Sequence, residues 1–171
     1  MRQPNKIGGG SQTNVYGLRF EQTTDLSDLI IKEKEFSIVN DRVFKNGKEV
    51  GLLCGKNKLY TYLFKPKNID VRNFISKKLL PDEAILVGKT VYIIEKKFQS
   101  GSGSVDEKLQ TCDFKKKQYI KIFNLIGLKV EYIYVLNNWF KHDEYKDVHN
   151  YILSVGCKYF FNVLPLSEIG L

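Results

Sequence analysis

Two apolar runs, residues 82–87 and 90–98, meet at Gly88-Lys89, and this junction constrains the chain more than any other segment. Runs of this length and composition read as strands, and a glycine-led dipeptide between them reads as a hairpin turn. A two-residue turn pairs Val87 with Thr90. Counting back along both strands then sets Asp82 opposite Glu95, with Cβ atoms about 5 Å apart. A four-residue turn keeps this register, whereas a three-residue turn shifts it by one. Strand alternation puts Glu95, Lys97 and Gln99 on one face, successive members about 7 Å apart, and turns Lys96 to the other. One small surface is therefore expected to present two carboxylates, an ammonium and an amide.

The rest of the chain predicts an α/β fold with a mixed sheet flanked by helices. Residues 1–12, with Gly8, Gly9 and Gly10, read as a flexible tail, and 13–171 as a single domain. A helix is expected from Thr13 or Asn14, with Val15, Leu18, Leu26 and Leu29 on one side and Glu21 within it. Residues 36–64 read as a small β insert. Asn46-Gly47 is a hairpin turn there because both residues tolerate positive φ, and LYTYLF (59–64) reads as its last strand. Pro66 ends that run, and a short helix is expected over 68–78. Ser104 and Glu107 form an S-x-x-E capping box that starts a long helix running to Gly127. A buried strand over 129–136, a helix over 143–154 and a strand over 157–163 complete the order.

Like charges directly opposed on a sheet are destabilising, and a divalent cation between Asp82 and Glu95 removes the repulsion. Hard oxygen ligands suit Mg²⁺. Carboxylates, a metal and a lysine together are what metal-assisted phosphodiester hydrolysis requires, because the ion polarises the phosphate and lowers the pKa of a bound water. Lys97 can orient that water and offset the charge that develops. The formal net charge of +8 and the pI near 9.3 point to an anionic partner, with nucleic acid the first expectation. The abundance of Lys, Asn, Ile, Tyr and Phe beside the single alanine, Ala84, is equally what an AT-rich coding bias produces.

Pro81-Asp82 followed by Glu95-Lys96-Lys97 resembles the motif of the PD-(D/E)XK nuclease superfamily. The segments NVYGLRFEQ (14–22) and EKKFQSGSGSVDEKL (95–109) look most like small type II restriction endonucleases. The resemblance covers most of residues 13–163 and implies a restriction-endonuclease-like core. It also implies that Asp82, Glu95 and the backbone carbonyl of Lys96 hold Mg²⁺, with Mn²⁺ able to substitute, and that Lys97 positions the attacking water. Gln99 extends the motif in the manner of some branches, and Glu21 fits an acidic residue that many members place near the metal. A restriction enzyme implies DNA as partner and a homodimer by symmetry with a palindromic site, while three unpaired, widely spaced cysteines lead one to expect a cytoplasmic location. The motif alone is short, and the register argument and strand context are what raise its weight.

Other features weigh less. Gly88-Lys89-Thr90 is no Walker A motif, because G-x-x-x-x-G-K-[ST] needs a glycine where Glu83 stands. In the nuclease reading the SGSGS loop and the helix after it offer DNA contacts through Ser102, Ser104 and Lys108; otherwise it is a flexible connection. Lys115, Lys116 and Lys117 read as a solvated helix face that can add phosphate affinity. His142 and His149 lie about two helical turns apart, roughly 10 Å, too far to share a metal. Cys54, Cys112 and Cys157 read as buried reduced thiols, and most aromatics as core. No apolar run reaches the roughly 18 residues of a membrane span. Competing readings are a junction-resolving or repair nuclease of the same superfamily, an RNA-directed nuclease, and a non-catalytic nucleic-acid-binding protein.

Overall fold

In a computed structural model, the backbone of residues 9–101 and 105–171 and the side chains of 16–101 and 107–171 are described. Seven strands form one mixed sheet in chain order: β1 (Phe36–Val39), β2 (Arg42–Lys45), β3 (Lys48–Leu53), β4 (Glu83–Val87), β5 (Thr90–Lys97), β6 (Lys129–Leu136) and β7 (Lys158–Phe161). Strands β1 to β5 pair antiparallel, while β5 with β6 and β6 with β7 pair parallel. Parallel neighbours need a crossover. The first is supplied by α4 (Val105–Leu109) and α5 (Cys112–Phe123), the second by α6 (Lys146–Ser154).

Turn chemistry explains the antiparallel half. Three two-residue turns join successive strands, and each has the positive φ that such turns demand. Asn40 and Asp41 sit at φ 49° and 65°, Asn46 and Gly47 at 49° and 78°, and Gly88 at 57°. Val87 therefore pairs with Thr90, as the sequence predicts.

Helices cover both faces of the sheet. On one side α3 (Lys58–Leu63), α5 and α6 close a core that includes Leu59, Phe64, Val91, Ile93, Phe123 and Tyr132. On the other, α1 (Gly9–Thr23), α2 (Leu26–Lys32) and a 3₁₀ turn at Leu166–Ile169 close a second core around Phe20, Ile30, Ile85, Ile94 and Ile133. Strand β6 is buried on both faces, which accounts for the nearly continuous apolar run KVEYIYVL. Tyr132 and Tyr134 are fully buried, while Trp139, Phe160 and Phe161 are partly so.

Several expectations are corrected. The segment LYTYLF is helix α3 and not a strand: Leu59, Tyr60, Leu63 and Phe64 are buried while Thr61 and Tyr62 face out, a helical period. In the expected β insert, 36–64, strands β1 to β3 pair with one another and join the sheet through β3 and β4. The first helix starts at Gly9, four residues inside the expected tail, and stops at Thr23; Asp25 then caps α2 by accepting the N–H groups of Ser27 and Asp28. Leu18 is exposed, and Val15 lies outside the described side chains. Only a 3₁₀ turn, Val71–Asn73, stands within 68–78. The long helix breaks at Gln110-Thr111 into α4 and α5. The helix over 143–154 opens as a 3₁₀ turn, Asp143–Tyr145. Ser104 of the capping box, Ser102, and residues 1–8 of the tail lie outside the described residues.

Candidate active site

The end of the β4–β5 hairpin builds the site. A two-residue turn makes Val87 and Thr90 a hydrogen-bonded pair, and such pairs alternate along the ladder. Positions 85/92 and 83/94 follow, and 81/96 comes next. Residue 81 is proline and has no N–H to give the Lys96 carbonyl. Its own carbonyl accepts from the Lys56 N–H at 3.1 Å. The ladder accordingly ends at Glu83–Ile94. The Lys96 N–H turns to the Asp82 carboxylate, Oδ2, at 2.8 Å, so Asp82 stands just beyond the strand rather than as its first paired residue. The Lys96 carbonyl is left open to a side chain.

That side chain is Lys97. Its Nζ lies 3.0 Å from the Lys96 carbonyl, 2.9 Å from Glu95 Oε2 and 3.6 Å from Asp82 Oδ2. Three hard oxygen atoms thus converge on one ammonium. Burial disfavours this ammonium, but the carboxylates of Glu95 and Asp82 outweigh it and hold its pKa above the ordinary lysine value. Glu95 is nearly fully buried and accepts a second cation on the same oxygen, Lys115 Nζ from α5 at 3.2 Å. The opposed carboxylates are therefore neutralised by two lysines.

Lys96 points through the sheet to the opposite face, as strand alternation requires. Its Nζ lies 2.9 Å from Glu83 Oε1 and donates to the Glu21 main-chain carbonyl at 3.0 Å. Glu83 also accepts the Leu26 N–H at 2.9 Å. Burial pushes the Glu83 carboxyl above its usual range, against the pull of Leu26 and Lys96. This clip ties the end of α1 and the start of α2 to the hairpin. Gln99 is buried, and its main chain is clamped by Asn137: the Gln99 N–H donates to Asn137 Oδ1 at 3.1 Å and Asn137 Nδ2 donates to the Gln99 carbonyl at 2.8 Å.

Of the residues singled out in the sequence, the structure brings Asp82, Glu95, Lys97 and the Lys96 carbonyl together. Glu21 does not join them: its main-chain carbonyl accepts from Lys96 on the opposite face of the sheet, and its residue is exposed, so the expected acidic group beside the cluster is not there. Gln99 enters by its backbone, and Lys108 is exposed on α4. Glu83 was missed, and Lys115 was read only as part of a solvated lysine face that can add phosphate affinity, not as a partner of Glu95. Glu83 was legible, since it sits opposite Ile94 with Lys96 two residues further along the same face. Lys115 depends on how α5 docks, which no local pattern reveals.

A cavity of about 200 Å³ opens beside the site, lined by Asp25, Ser27, Lys56, Lys58, Asp82 and Glu83 among others. A further cavity of about 380 Å³ around Phe64, Asn68 and Arg72 is lined by neither Asp82 nor Glu95. Among the described residues no group of three or more His, Cys, Asp or Glu is arranged to hold a metal, and no helix is long and apolar enough to cross a membrane. The oxygen set at Lys97 is instead two carboxylates and a carbonyl. No family model matches the chain, and neither does any curated protein or solved structure.

Proposed function

We propose that this chain is a metal-dependent endodeoxyribonuclease of the PD-(D/E)XK type, cutting duplex DNA at specific sequences as a homodimer. One observation carries the reading. The three oxygen donors that the motif assigns to a divalent ion, on Asp82, Glu95 and the Lys96 carbonyl, surround a single cationic group. A cluster that gathers oxygen around one positive charge fits a hard divalent cation by its donor chemistry.

Asp82, Glu95 and the Lys96 carbonyl would hold Mg²⁺. When bound, the ion polarises a phosphodiester and acidifies a water. Lys97 then orients the attacking water by donating hydrogen bonds and offsets negative charge on the phosphate. Asn137 holds the strand end past Lys97, donating its N–H to the Lys97 carbonyl at 3.2 Å. The mixed sheet with helices on both faces is compatible with a restriction-endonuclease-like core built from α1, β3 to β5, α5 and β6. The net charge of +8 favours a polyanionic substrate. Double-strand cleavage by one site per chain calls for a two-fold dimer.

The test is cleavage of a long, sequence-diverse duplex in Mg²⁺ and in EDTA, beside the Lys97→Ala and Asp82→Ala proteins. Discrete fragments are expected in Mg²⁺ alone, with each variant slowed at least about 1000-fold. Variants that cut as fast as the parent would sink the assignment. Cleavage of branched but not plain duplex would move it to a structure-specific nuclease.

A further inference from the structure

We propose that Lys115 is a second catalytic lysine of this site, releasing Glu95 when the divalent ion binds and then contacting a non-bridging oxygen of the scissile phosphodiester. The inference deepens the nuclease reading and rests on it. Lys115 opens a run of three lysines on α5, and its neighbours are engaged elsewhere. Lys116 donates to the Gly156 carbonyl, and Lys117 pairs with Asp113 at 2.7 Å. Lys115 is the member of the run that reaches the carboxylates.

Its contact is the longer of two on one oxygen. Glu95 Oε2 already accepts Lys97 at 2.9 Å, and Lys115 shares that same oxygen at 3.2 Å. Two ammonium groups on one oxygen repel each other, so the longer contact, that of Lys115, is the easier to release. Charge counting gives it a purpose. Asp82, Glu95, Lys97 and Lys115 together are neutral. Adding a divalent ion leaves a surplus of two positive charges, matching a phosphodiester and an attacking hydroxide. Without Lys115 the surplus falls one short. An ion on Glu95 must also compete with both ammonium groups for the shared oxygen. Lys97 is tethered to the strand that carries the carbonyl ligand, whereas Lys115 hangs from α5 with its side chain about a quarter exposed and is free to turn to the substrate. Lys115 forms no covalent bond in this scheme; it balances charge on the phosphate.

The competition can be read without DNA. Mn²⁺ is titrated calorimetrically into the parent chain and into Lys115→Met and Lys115→Gln, two variants so that misfolding of one does not decide the matter. Both are expected to bind Mn²⁺ about tenfold more tightly, because a competing cation is gone. Both should cut DNA at least about 100-fold more slowly, with Lys115→Arg recovering part of the rate. Unchanged Mn²⁺ affinity, or a cutting rate within about twofold of the parent, overturns the role of Lys115. If the parent binds Mn²⁺ while the variants match it, the nuclease reading stands and this one falls. If the parent binds no divalent ion, both fall together.

Discussion

At the scale of single residues, the charges of the site are balanced by its own lysines. Asp82 stands just past the paired ladder, yet its carboxylate and that of Glu95 both reach Lys97, and the two do not stand as bare opposed carboxylates, because Lys97 and Lys115 neutralise them. The consequence is a definite sign. Glu95→Gln, melted in EDTA, is expected to lose about 1–3 kcal/mol, since it strands two ammonium groups. Bare opposed carboxylates predict a gain instead, and a rise in Tm for this variant would show that the lysines do not neutralise them. The Glu83–Lys96 pair gives a second test. The Lys96 side chain is 4% exposed, so Glu83→Ala leaves an uncompensated buried charge and should cost about 3–5 kcal/mol by chemical denaturation. Glu83→Leu combined with Lys96→Met should recover most of that loss.

At the scale of elements, the hairpin was legible in the sequence and α3 was not, for physical reasons. Gly88-Lys89 fixes the β4–β5 register by local turn chemistry alone, so Asp82, Glu95 and Lys97 could be placed by counting. LYTYLF is rich in aromatic and β-branched residues that favour strands, and only its tertiary partners make it helical. Phe64 packs on Phe123 of α5, and the Tyr60 hydroxyl donates to the Leu79 carbonyl at 2.6 Å. The contact of Lys115 with Glu95 was hidden in the same way, because it depends on the break at Gln110-Thr111 that sets how α5 docks. Burial pushes the Tyr60 phenol from 10.0 up to about 12. The folded protein then holds this proton more tightly than the unfolded chain. Its stability is full below about pH 10 and declines as pH rises towards about 12. Urea titrations across that window should show the decline, and Tyr60→Phe should flatten it. The loop before α3 reaches the site directly. A Cβ on Gly55 would stand 3.1 Å from the Glu83 Cα and 3.3 Å from the Asp82 carbonyl oxygen. Gly55→Ala should therefore cut metal-dependent cleavage about tenfold by shifting the start of β4. Gly88→Ala meets nothing within 4 Å. Its expected cost is about 1 kcal/mol of backbone strain, with cleavage intact.

At the scale of the whole molecule, the proposed metal site would link ion binding to folding stability. An ion held by the folded chain alone stabilises it by about 2.7 kcal/mol at 100 times its Kd. Mg²⁺ should accordingly raise Tm by several degrees in the parent and leave Asp82→Ala unmoved, a comparison that scanning calorimetry makes without DNA. A Tm shift shared by both proteins would place the ion elsewhere. The order of the sheet also has a consequence for how the molecule is made. Every strand lies beside the one before it, so each strand leaving the ribosome finds its neighbour already made. The hairpin that sets the two carboxylates closes once Lys97 has emerged, with Lys97 itself as their first counter-charge. Lys115 and the helix that carries it come later. During synthesis Lys97 thus arrives with the hairpin that gathers the acidic pair, and Lys115 completes the charge balance later.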